Sequence, residues 1–215
     1  MKANWQATIE QLYAAFKTVP KPRHVEGCPC CTSEGEFRHL LAKPLRDVSP
    51  DELGRYASKA LTTVGTEDDF HYFIPRILEV SATECGWWPE PAIVLGKMQM
   101  ADWQSWPSEQ VSAVRAFLWV NFLRVLEQED CGSDLDDWIC AVGRGGEDLS
   151  PYLAQLERQP VKLVLLYEDN SESLLKGRLS NPFWEGAASA EEAVVKWFRS
   201  SDVVEVINKT CGMES

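Results

Sequence analysis

Histidine is scarce in this chain: His24, His39 and His71 are the three in 215 residues. So few imidazoles leave no Ser-His-Asp set that suggests itself, and no paired histidines at helical spacing for a metalloprotease site. There is no Gly-x-Ser-x-Gly elbow and no kinase signature. The glycine-rich stretch "VGRGGED", Val142 to Asp148, lacks the preceding strand and the following Lys-Ser/Thr of a phosphate loop, so it reads as a helix end and a loop. Strand-like runs are equally rare. Only "VKLVLLYE" has the look of a buried strand, and it has no second run to pair with, so it is expected to be helical.

Long apolar runs are missing too. No stretch approaches the ~18 uncharged apolar residues of a membrane span. The most apolar window, "AVRAFLWVNFLRVL", is interrupted by Arg115, Asn121 and Arg124. The first residues, "MKANWQATIEQLYAAF", carry no apolar run after a basic patch, so no secretory leader is expected. Basic residues are in deficit, 21 against 33 acidic, for a formal net charge of -12. That argues against nucleic acid and anionic membrane surfaces as partners and favours a basic protein. Seven cysteines, an odd number without a leader, read as thiols of a cytoplasmic protein rather than a disulfide framework.

What is abundant is helical periodicity. Trp5, Ile9, Leu12, Tyr13 and Phe16 fall on one face before Pro20 and Pro22. "SEGE" at Ser33 to Glu36 has the form of a capping box. "SPDE" at Ser49 to Glu52 is a clearer one, opening a helix with Leu53, Tyr56, Ala57, Ala60 and Leu61 on a stripe that Gly65 is expected to end. "TEDD" from Thr66 starts a partner helix bearing Phe70, Phe73, Ile74, Ile77 and Leu78, in which Pro75 should produce a kink or a later start. A short helix is expected around Ile93 to Met100. The longest runs from Pro107 to about Glu127 and is apolar nearly all round. "SDLDDWICAVG", with Gly143 past its end, "LSPYLAQL", "SAEEAVVKWF" and "SDVVEVI" supply further short helices. The expectation is all-α: helical hairpins packed as an irregular bundle or a short solenoid, in a single domain over 1–215 with a sub-boundary near 82–106.

Successive helix pairs opened by capped Ser or Thr, mainly from Ser49 to Gln128, resemble HEAT-like α-solenoids. "NPFW" and "CPCCT" resemble phrases of small bacterial helical proteins, some of which are immunity partners of antibacterial toxins. That resemblance implies a non-enzymatic protein-binding role, in its narrowest form an antitoxin-like neutraliser of a basic toxin domain.

Two constellations carry chemistry. In "HVEGCPCCTSEGEFRH", His24, Cys28, Cys31 and His39 offer a mixed nitrogen and sulfur set for zinc. Against it, Cys28 and Cys30 form a C-x-C pair, adjacent Cys30 and Cys31 point apart, and no second knuckle exists. No resident cofactor is the favoured expectation, with zinc binding or thiol-redox chemistry as the alternative. A Gly-Pro turn with inward-packed thiols accounts for the same residues, and core packing is the default for Cys85, Cys131, Cys140 and Cys211. The second constellation is acidic. Glu127, Glu129, Asp130, Asp134, Asp136, Asp137, Glu147 and Asp148 face Arg144 alone. Glu129, Asp130, Asp134, Asp136 and Asp137 are candidates for a docking face, with Trp87, Trp88 and Trp106 as apolar anchors. Helix-start acids and core-filling indoles are the competing explanation.

Overall fold

The computed structural model describes residues 2–30, 32–33, 35–127 and 135–212. Among these the fold is all-α, with eleven α-helices, no strands and two isolated bridges. The chain forms two compact units, Met1–Asn121 and Phe122–Ser215. The division falls beyond the 82–106 region, inside the longest helix.

The first unit contains α1 (Lys2–Ala15), α2 (Arg38–Leu41), α3 (Pro50–Lys59), α4 (Glu67–Thr83), α5 (Pro91–Met100) and most of α6 (Ser108–Glu127). Helix α3 begins as the sequence suggests. Ser49 is the N-cap, Pro50 opens the first turn, and the Glu52 carboxylate accepts from the Ser49 amide at 2.9 Å and hydroxyl at 2.7 Å. Thr66 and Asp69 make the same reciprocal box at α4. At "SEGE" the Ser33 amide does donate to Glu36, at 3.0 Å, but helix α2 starts only at Arg38. Pro75 neither delays nor divides α4, which runs through it. Its missing N–H leaves the ladder short by one bond, while its ring is buried with the core side chains of α4. That core holds Leu53, Tyr56, Phe70, Phe73, Ile74, Ile77 and Leu78, all fully buried. Each such side chain is worth roughly 1.5–3 kcal/mol of burial.

Helix α3 ends earlier than its stripe implies. Lys59 is its last residue, Ala60 turns extended at ψ 140°, and Leu61 takes a left-handed φ of 63°. The Thr62, Thr63 and Val64 amides fold back onto Lys59 O, and a contact from α5 holds this end. The Lys97 side chain, 5% exposed, donates to the Ala60 carbonyl. The chain then doubles back through Val64, which bridges Ala60 and Gly27. Gly65, expected to end α3, instead completes this turn at φ +71°.

The second unit holds α7 (Leu135–Arg144), α8 (Ser150–Leu156), α9 (Pro160–Leu174), α10 (Ala188–Phe198) and α11 (Ser201–Thr210). "VKLVLLYE" lies within α9, with Leu163 and Leu166 buried. Helix α9 packs on α8 and α11, and α10 packs on α7 and α11. Gly143 lies inside α7, not past its end. A Cβ there would come 2.9 Å from Cζ3 of Trp184, whose ring is buried, so the glycine marks a close approach rather than a helix stop.

The Glu52 box yields a pH prediction. Hydrogen bonds from Lys43, then from the Ser49 hydroxyl and amide, hold its carboxyl down to about 2 from an ordinary 4.5. The folded pKa lies below the unfolded one, so the unfolded chain binds the extra proton in this window. The stability this group contributes is present above about 4.5 and is lost as pH falls toward 2. Urea unfolding followed by circular dichroism across this range should show a steeper acid decline for the natural chain than for Glu52→Gln.

Candidate functional site

Among the described residues a groove lies in each unit. In the first, the segment after Val25 is tied to the turn between α3 and α4. The Gly65 amide donates to Glu26 O at 2.7 Å, and the Cys28 amide donates to Thr63 O at 2.8 Å. Thr32 closes the next turn, its amide and hydroxyl donating to Cys28 O at 3.0 and 2.9 Å. The thiols do not pack inward. Cys28 is half-buried and Cys30 exposed, with their sulfurs 2.6 Å apart. Loop backbone groups find partners on the α3–α4 turn, so this segment is held without burying side chains. A groove of about 570 Å³ lies alongside, with Phe37 and Leu41 in its lining and His24 and Arg38 among its polar members.

Of the four zinc candidates, Cys31 lies outside the described residues. His24 is exposed and pairs with Glu26 at 3.0 Å, and His39 is an exposed residue of α2. Among the described residues no three His, Cys, Asp or Glu side chains cluster as a metal would require. Of the cysteines assigned to the core, Cys140 is buried, and burial pushes its thiol far up. Cys85 and Cys211 are exposed, because each falls in a turn beyond a helix end rather than on an apolar face. Cys131 lies outside the described residues.

The three tryptophan anchors separate. Trp87 is half-buried and donates its indole N–H to Pro50 O at 2.9 Å. Trp106 is half-buried, 4.3 Å from the His71 ring and edge-on to Phe16. His71 is a half-buried residue of α4 and also bonds Gln110 at 2.7 Å. Trp88 alone of the three is exposed, at 56%. Its carbonyl sits where a Cβ on Gly54 would be, at 2.6 Å, so the Trp87–Trp88 strap lies directly on α3.

The acidic candidates separate as sharply. Glu129, Asp130 and Asp134 lie outside the described residues. Asp136 is only 9% exposed, and its carboxylate accepts from Asn170 Nδ2 at 3.1 Å. Asp136 is therefore a buried partner of α9 and no rim charge. Asp137 is half-buried and accepts from Asn181 Nδ2 at 2.8 Å. Asn170, fully buried, also donates to Leu166 O at 3.0 Å and accepts from the Ser180 amide at 2.8 Å. These acids hold α7, α9 and the Asn181 turn together, which is why they begin α7.

The second groove is the one the sequence reading missed. It measures about 570 Å³ and is walled by Glu147, Asp148, Glu157 and Trp197, with small residues such as Ala154 and Ala193 between. No basic side chain is among its described lining residues. Trp197 donates its indole N–H to Glu157 at 2.7 Å, which fixes both groups. The Ser150 hydroxyl and amide bond Asp148 and hold its carboxyl below its ordinary range, so it stays charged. Glu157, which caps the C-terminus of α8, and Trp197 of α10 stand forty residues apart, and no local spacing links them.

No family model, curated protein or solved structure matches the chain.

Replacing Asn170 by Leu should remove one amide donor to buried Asp136, together with the bond to the Ser180 amide, and cost about 1–3 kcal/mol. The check is a lowered urea midpoint for the loss of helix. A surface role for these acids would instead leave the midpoint unchanged.

Proposed function

We propose that the chain is a non-enzymatic helical protein that binds a basic protein partner through the acidic groove of its second unit. One observation carries this reading: three carboxylates and an indole converge on one concavity with no cation in its described lining. A Lys or Arg side chain entering it gains charge pairing with Asp148 and Glu157, and its alkyl stem and cationic head meet the Trp197 ring. The formal net charge of -12 supports the same choice of partner, because it speeds encounter with a basic surface. Exposed Trp88 gives the first unit an apolar anchor of its own. An immunity-like neutraliser of a basic toxin domain is the narrowest form of the proposal. It draws support from charge and from the resemblance of "NPFW" and "CPCCT". No helix among the described residues is long and apolar enough to cross a membrane.

The test is kinetic. A partner recovered with the tagged chain from its native cells should be basic. Its association rate should fall at least about tenfold from low to high salt, since screening acts beyond ~8 Å at physiological ionic strength. Asp148→Lys with Glu157→Lys should slow association, and Trp197→Ala should raise the dissociation rate, by about tenfold if the ring is an anchor worth more than ~1 kcal/mol. Recovery of acidic partners alone, or a salt-independent association rate, would sink the reading.

A further inference from the structure

The loop of the first unit holds chemistry that partner binding does not use. Its backbone is clamped just ahead of Cys28, by the Gly65 amide on Glu26 O and by Thr63 O on the Cys28 amide. Thr32 then closes the turn onto Cys28 O. Gly27 permits that closure, because a Cβ there would overlap the Thr32 side chain. Cys28 and Cys30 thus sit on a short, tethered turn, with their sulfurs 2.6 Å apart and Cys30 open to solvent.

The two sulfurs are in contact, which brings the reacting atoms of a thiol pair together. A disulfide bond is about 2.05 Å long. A small rotation of either side chain about its Cα–Cβ bond reaches that length without moving the tethered backbone.

We propose that Cys28 and Cys30 form a reversible dithiol–disulfide pair that exchanges with small carboxylate-bearing disulfides of the glutathione type. The groove beside the pair supplies the docking surface. Arg38 offers a cation for the carboxylate, the Glu26 carboxylate in the same lining is paired with His24, and Phe37 and Leu41 offer apolar lining. The exposed Cys30 loses its proton to solvent, and its thiolate attacks one sulfur of the incoming disulfide. That bond breaks, and the first thiolate leaves and takes up a proton. The Cys28 thiolate, its own proton also gone to solvent, attacks Cys30 Sγ and displaces the second thiolate. Two protein thiols are oxidised to one bond, and one small disulfide is reduced to two thiols.

The experiment uses the full chain, reduced and then equilibrated in buffers of reduced and oxidised glutathione. Free thiols are trapped with a maleimide, and peptides are mapped by mass spectrometry. Cys85 and Cys211, each exposed, report the reactivity of solitary thiols in the same tube. The expected result is an intramolecular bond between Cys28 and Cys30, lacking two hydrogens and titrating as one two-electron transition. Cys31→Ser should retain it, and Cys28→Ser should stall with one glutathione on Cys30. Arg38→Ala should slow its formation several-fold at unchanged end point. The proposal is overturned if Cys28 and Cys30 of the natural chain carry only glutathione adducts, the outcome expected of Cys85 and Cys211. Loss of the bond in Cys31→Ser overturns it as well, and so does stoichiometric zinc that both Cys28→Ser and Cys31→Ser release. Bond mapping on the natural chain decides the matter even if a variant fails to fold. None of these outcomes involves the acidic groove, so the fate of the partner-binding reading is read separately.

Discussion

A lysine buried under the end of a helix organises the first unit. Lys97 comes from α5 and places its ammonium on the Ala60 carbonyl, where α3 stops. A buried cation costs several kcal/mol in lost hydration, and its burial here pushes the amine's pKa down. The site offsets part of that cost, because the unpaired carbonyls at a helix C-terminus carry partial negative charge. Tied to Lys97, the Ala60 carbonyl lies at an extended residue instead of continuing the helix, and the chain must turn. The left-handed Leu61, the Val64 bridge and Gly65 follow from that stop, and Thr63 and Gly65 are the residues that grip the cysteine loop. The backbone grip on the cysteine loop thus adjoins a turn held by one cation in the core.

The second unit divides its acids between two tasks. Asp136 and Asp137 are spent inside, one on Asn170 and the other on Asn181, where they satisfy amide donors that would otherwise be stranded. Asp148 and Glu157 are held by single partners at the wall of a groove, with the rest of their acceptor capacity turned outward. Seen only as a run of letters, all four look alike. Burial and the position of an amide partner separate structural carboxylates from those available to a ligand.

The all-α class and the helix starts were legible in the sequence because local chemistry decides them. Ser49 with Glu52, and Thr66 with Asp69, cap their own helices within four residues. "VKLVLLYE" could be assigned to a helix because no second run existed to pair with it. Where tertiary contacts decide, the local signal misleads. The apolar stripe of α3 continues to Leu61, but Lys97, thirty-seven residues beyond Ala60, ends the helix first. Gly143 looks like a stop and is in fact a notch for Trp184. The cysteine loop was visible as a cluster, but which sulfurs meet depended on a tether to Thr63 and Gly65. The groove of Glu157 and Trp197 left no trace, since neither a glutamate at a helix end nor a tryptophan within a helix is unusual.

The notch at Gly143 has an evolutionary side. A helix glycine forgoes roughly 0.5–1 kcal/mol relative to alanine, so drift should replace it wherever space allows. Here the space is filled by one large ring, and Trp184 loses its seat if the backbone of α7 is pushed away. Neither residue can change first without penalty, whereas a smaller side chain at 184 would release position 143 at once. Among descendants of this sequence the two positions are bound to substitute as a pair, forty-one residues apart, and their joint history would mark the contact between α7 and the Trp184 turn even to a reader holding only an alignment.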